Sequence, residues 1–93
     1  MSPKLSQTED LYLAILSLDN MEEAKKFFRD LLTKKEIEEM GKRWRAAKML
    51  YSNIPYSAII EQTGLSSTTV ARISKWLNNG KGGYYLMLNK TRQ

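Results

Sequence analysis

The sequence predicts an all-α chain of about six helices that carries a helix-turn-helix, and three observations predict it. Apolar residues recur at helical spacing along most of the length, and no segment alternates as a strand would. Caps and breakers (Asn20, Thr33, Asn53-Ile54-Pro55, Gly64, Ser66) interrupt that pattern at short intervals. The stretch from Tyr56 to Leu77, YSAIIEQTGLSSTTVARISKWL, reads as two short helices that meet at a glycine.

The first helix is expected over Thr8 to Leu18, where Leu11, Ala14, Ile15 and Leu18 hold helical spacing. Tyr12, Leu13 and Leu16 make it apolar almost all round. One small protomer cannot easily cover such a surface, so it is expected to pack against a second chain. Asn20, with Glu23 three residues on, opens a second helix whose buried stripe is Ala24, Phe27, Phe28, Leu31 and Leu32. Residues 8–32 are thereby read as dimerisation helices.

Thr33 and Glu36 form a capping-box pattern at the head of a long third helix, residues 34–51. Along it Ile37, Met40, Trp44, Ala47 and Tyr51 keep helical spacing. Arg43 and Arg45 on this helix lie about 200° apart around the axis, so each needs its own explanation. Asn53-Ile54-Pro55 ends the helix, and Pro55 suits the start of the next.

In the helix-turn-helix, residues 56–77, Ile59 and Ile60 give the first helix its buried side. Gly64 takes the left-handed conformation, Leu65 plugs the turn, and Ser66 caps the second helix. Val70, Ile73 and Leu77 must face inward, which turns Ser67, Thr68, Ala71, Ser74 and Lys75 outward. That outer face is small, hydroxyl-bearing and basic, as a helix entering a DNA major groove requires. The Gly-rich run from Asn78 to Gly83 is no Walker loop, because Lys81 is followed by Gly82 and no strand precedes it. Residues 84–90, with Tyr85, Leu86 and Leu88, form a short last helix.

With 93 residues the chain is expected to be one domain, 1–93. A monomer of that size buries only about 60 to 65% of its unfolded surface, so association with a second copy adds useful stability. It contains neither cysteine nor histidine, which excludes disulfides, thiolate nucleophiles, imidazole bases and zinc-finger ligand sets. No catalytic constellation, metal site or cofactor is expected. The longest apolar run, Leu11 to Leu16, falls far short of the roughly 20 residues that span a bilayer, so the expectation is a soluble, cytoplasmic protein that does not engage membranes. The net charge of +5 hides an asymmetry. Residues 1 to 40 hold six Lys/Arg against nine Asp/Glu, a net of −3, whereas residues 41 to 93 hold nine against Glu61 alone, a net of +8. The positive charge travels with the helix-turn-helix, which favours nucleic acid through counterion release.

LLTKKEIEEMGKRWRAAKMLY followed by a helix-turn-helix resembles the Trp repressor superfamily from about Leu11 to Leu77. Carrying the resemblance are the LLT-x-x-E opening, Gly41-x-Arg43-x-Arg45, and Thr69-x-x-Arg72. The ending from Asn78 to Tyr84 looks more like the Trp-repressor-related YerC/YecD-type branch. The resemblance implies an intertwined homodimer of six helices per chain that presents two helix-turn-helix heads to double-stranded DNA.

It also implies a ligand pocket, and there the sequence departs from the family. Thr33, Arg43, Thr69 and Arg72 match pocket positions that in Trp repressor surround tryptophan. Ile73 stands where the repressor has a glycine, and Trp76 replaces the serine that bonds the ligand's amino group. Both changes add bulk, so tryptophan is not expected to bind; an unknown small-molecule effector is the other possibility. Salt bridging with the acidic half is the plain alternative for Arg43 and Arg72.

For DNA, the resemblance makes Ser67, Thr68 and Ala71 base-facing and Ser57, Thr69 and Lys75 candidates for phosphate, with Ser66 at the entrance of the helix. Ile60 replaces a lysine, removing one phosphate anchor. No Arg-to-guanine or Asn-to-adenine fork is available, so water and DNA shape must supply part of the specificity. Trp repressor itself is the known case of water-mediated base contact. The leading reading is a dimeric transcriptional repressor on a palindromic operator. The alternatives are a helical protein-interaction module associated with the transcription machinery and a relative of the promoter-reading region of a sigma factor.

Overall fold

Six helices appear in the computed structural model, which describes residues 4–91: α1 (Gln7–Leu16), α2 (Met21–Leu31), α3 (Lys34–Tyr51), α4 (Tyr56–Thr63), α5 (Ser67–Asn79) and α6 (Gly83–Thr91). No strand occurs among the described residues. The expected span of 1–93, and Arg92 of the charge count, reach outside them. The residues group into two compact units, one ending at Ile37 and the other beginning at Glu38.

In the first unit each helix start has its own cap. Ser6 Oγ accepts from the Glu9 amide at 3.0 Å, and Glu9 accepts from the Ser6 amide at 3.0 Å, a capping box that starts α1 a residue earlier than expected. The helix also ends early, at Leu16 rather than Leu18. Ser17 and Leu18 turn their amides onto Ala14 and Ile15, three residues back, so the last turn tightens out of α geometry. Asn20 Oδ1 caps α2 by accepting from the Glu23 amide at 2.9 Å. Neither helix contains a buried residue; Tyr12, Leu13, Leu16, Met21 and Leu31 are all exposed, Leu16 by 79%.

Thr33 and Glu36 make the expected box at α3: Thr33 Oγ1 accepts from the Glu36 amide at 3.1 Å, and Glu36 accepts from the Thr33 amide at 2.9 Å. These hydrogen bonds to its charged form hold the Glu36 carboxyl below its usual pKa. At its other end α3 closes in a Schellman motif. Asn53 adopts φ 61°, its amide donates to Leu50 O, and the Ile54 amide donates to Met49 O. Asparagine tolerates that left-handed conformation better than other side chains.

The core lies in the second unit and consists of Ala46, Ala47, Ile59, Leu65, Val70 and Ile73. The expected α3 stripe is thus shifted. Ala46 joins Ala47 in full burial while Met40 stays exposed, because two small residues let other elements approach the α3 backbone where larger side chains would hold them off. Helix α5 continues past Leu77, since Asn78 Nδ2 donates back to Ser74 O at 2.9 Å and supports its final turn. Of the apolar residues expected to pack α6, Leu88 is buried, but Tyr85 and Leu86 are exposed. Tyr84 instead stacks on Trp44 at 6.5 Å between centroids, and Tyr51 holds α6 through Asn89 at 3.2 Å.

The Glu36 bond makes a pH prediction. A depressed folded pKa contributes stability that is present above the ordinary glutamate value and lost as pH falls through the lowered one. Glu36→Gln keeps an acceptor without the charge. Thermal melts should show wild type more stable than Glu36→Gln at neutral pH, with the gap closing in acid. For the core, Ile59→Ala should cost about 2 to 5 kcal/mol in urea unfolding.

Candidate nucleic-acid interface

The turn between α4 and α5 sets how α5 is presented. Gly64 sits at φ 77°, where a side chain would be strained, and its amide closes α4 onto Ile60 O at 2.9 Å. Thr63, buried in the second unit, donates its hydroxyl to Ile59 O at 2.7 Å and accepts from the Leu65 amide at 3.2 Å. That hydroxyl bridges the end of α4 to the turn and so leaves no buried polar atom unsatisfied there. Nothing in the spacing of the sequence distinguished Thr63, because a threonine at a helix end is common and its role depends on two backbone partners that only the turn brings together. Leu65 fills the turn from below.

Ser66 then starts α5. Its Oγ accepts from the Thr69 amide at 3.1 Å and donates to Thr69 Oγ1 at 2.9 Å. Thr69 is an acceptor in that second bond and keeps its own hydroxyl proton for an outside acceptor. The amides of Ser67 and Thr68 have no intrahelical partner, as helix geometry requires. No acidic residue occupies the first turn of α5 or of α4, and α4 begins at Pro55 without a side-chain cap. Two helix N-termini therefore offer free amides and partial positive charge to an anion.

The expected DNA-facing residues separate into three places. Ser67, Thr68, Ala71 and Lys75 are exposed, and Thr68, Ala71 and Lys75 form one stripe along α5 at i, i+3, i+7. Ser66 and Thr69 pair with each other at its entrance, Thr69 half-buried. Ser57 is exposed in the first turn of α4. Ser74, expected to face outward, is half-buried. Helix α5 holds Arg72 and Lys75 and no carboxylate.

The residues matched to a ligand pocket are distributed differently. Ile73 is fully buried among Ala46, Ala47, Ile59 and Val70, a core position. Trp76 is 43% exposed and, with Trp44, Tyr84, Met87, Lys75 and Lys81, lines a groove of about 810 Å³ beside the α5–α6 turn. Arg43 is exposed and lies 3.9 Å from Glu39 on its own helix, while Arg72 is exposed with no ion pair among the described residues. Thr33 belongs to the first unit, where its hydroxyl caps α3. The aromatic groove escaped sequence reading because Trp44 and Tyr84 are forty residues apart along the chain.

The family model described as Trp repressor protein matches residues 6–92. YerC of Bacillus subtilis (strain 168), an uncharacterized protein, is 34% identical over 87 residues, which cover 94% of this chain and 84% of YerC. Among solved structures, a TrpR-like protein from Eubacterium eligens ATCC 27750 superposes with a TM-score of 0.87 at 40% identity, covering 91% of this chain and 89% of that one. A candidate Trp repressor from Staphylococcus aureus gives a TM-score of 0.85 at 35% identity, covering 89% and 83%.

The cap at α5 sets a stability test. Ser66→Ala should lower the unfolding free energy by about 1 kcal/mol and Ser66→Gly by only a few tenths, in urea titrations at fixed protein concentration. An unchanged unfolding free energy in Ser66→Ala would show that the cap bonds do not hold the helix start.

Proposed function

The chain belongs to the Trp repressor family, and on that premise we propose that it is a sequence-specific reader of double-stranded DNA, acting as a homodimer on an approximately palindromic operator. Its family is one of DNA-binding regulators rather than enzymes. Repression by occlusion of a promoter, in the cytoplasm, is the mode that we assign to it. No helix among the described residues is long and apolar enough to cross a membrane.

The observation that carries this reading is the outer face of α5. Thr68, Ala71 and Lys75 form an exposed stripe with no carboxylate on the helix, next to an N-terminus where the Ser67 and Thr68 amides are free. Small side chains allow close approach to base edges, the hydroxyls of Ser67 and Thr68 serve bases, and Thr69, Ser57 and Lys75 serve phosphates. Support for the homodimer comes from the apolar residues each unit leaves exposed: Tyr12, Leu13 and Leu16 on α1, and Trp76, Leu86 and Met87 in the second unit. A two-fold axis would then set half-sites about 34 Å apart.

Tryptophan is not its ligand on this reading. Ile73, where the family's repressor has a glycine, is fully buried in the core and takes up volume beside α3 that a ligand would need. The heads then hold their spacing without an effector.

Selection against a random duplex library should enrich a palindrome without added metabolite, and failure to enrich any duplex at moderate salt would favour the protein-interaction alternative. Thr68→Ala should change sequence preference, whereas Lys75→Ala should weaken every duplex alike and lower the salt slope of log K by about 0.9 for each protomer, about 1.8 for the dimer. Calorimetry with tryptophan should give no saturable heat; a saturable site would overturn the occluded pocket.

A further inference from the structure

The Gly-x-Arg-x-Arg segment of α3 holds two arginines on different sides of the helix, and only Arg43 has an ion partner, Glu39 at 3.9 Å. Arg45 lies elsewhere. With Lys42 and Gly41 it borders a depression of about 420 Å³ whose far side is Gln62 and Thr63, the end of α4. Lys42 Nζ comes to 3.9 Å from the position that a Cβ on Gly64 would occupy, so its ammonium stands against the turn itself. Both cations are exposed and neither is in an ion pair within the described residues, although Glu38 precedes Lys42 by one helical turn.

From this we infer that Lys42 and Arg45 form a phosphate-binding site on α3, outside the helix-turn-helix, that grips the DNA strand passing the α4–α5 turn. The inference rests on the DNA-reading function proposed above. A helix that inserts its N-terminal turn into a major groove brings that turn next to a bordering phosphate strand. Here the turn carries an unpaired ammonium and, one helical turn further along α3, an unpaired guanidinium; the neighbouring Gln62 amide adds a neutral donor. Arg45 has the planar fork that suits a phosphate. Lys75 stands two turns into α5, so the two contacts fall on different phosphates and add independently.

The test measures the salt dependence of binding, on a selected duplex and an unrelated one, for the parent, Lys42→Ala/Arg45→Ala, Arg45→Lys, and the charge-matched Lys25→Ala/Lys26→Ala on the exposed face of α2. Loss of two phosphate contacts from each protomer, four in the dimer, should lower the slope by about 3.6 and weaken both duplexes alike, roughly tenfold or more at low salt. Arg45→Lys should retain most of the slope, and the α2 variant should keep the parental value. A parental slope in the α3 double variant, or an equal fall in the α2 variant, overturns the site while leaving the DNA reading intact. Salt-insensitive or absent duplex binding by the parent overturns both.

Discussion

The left-handed turn at Gly64 is the constraint on which the second unit depends. Two helices joined by so short a connection can adopt few crossing angles, and each participant in the turn removes some of the remaining freedom. Gly64 reverses the chain at φ 77°, Thr63 ties it to α4 through one carbonyl and one amide, and Leu65 anchors it in the core. Ser66 then fixes the first turn of α5. These bonds fix how α5 leaves the turn, and on the reading proposed above a face ordered in this way loses little entropy on binding.

Helix α3 supplies the platform beneath that turn. Its alanine pair is packed with Ile59, Val70 and Ile73, and the smallness of Ala46 and Ala47 sets how close those side chains come. The same packing bears on the ligand question. A glycine in place of Ile73 would leave a cavity beside α3, whereas the isoleucine fills it with hydrocarbon. On the reading proposed above, this occupied volume is what separates presentation of α5 without a ligand from regulation by a metabolite.

Electrostatics divides the chain in a complementary way. Carboxylates concentrate in the first forty residues, where Glu9 and Glu36 are drawn into capping bonds with backbone amides. The residues beyond carry nine cations and a single carboxylate, Glu61. Of those cations Arg43 is neutralised locally by Glu39. The N-termini of α4 and α5 add partial positive charge of the same sign.

The sequence by itself determined the elements and their punctuation. The bounds of α3, the caps at Asn20, Thr33 and Ser66, the glycine at the turn and the inward set Val70, Ile73 and Leu77 follow from local hydrogen bonding and helical periodicity, which a chain expresses wherever it folds. Tertiary structure alone decided which of several apolar residues were covered: Ala46 rather than Met40 on α3, and Tyr84 stacked on Trp44 rather than Tyr85 or Leu86 turned inward. It also decided what Arg45 faces: Arg43 meets Glu39 one turn back on its own helix, a contact local to α3, whereas Arg45 borders the end of α4. The physical reason is the range of the forces. Caps, periodicity and the i,i+4 ion pairs act over a few residues, whereas burial depends on neighbours that lie tens of residues away along the chain.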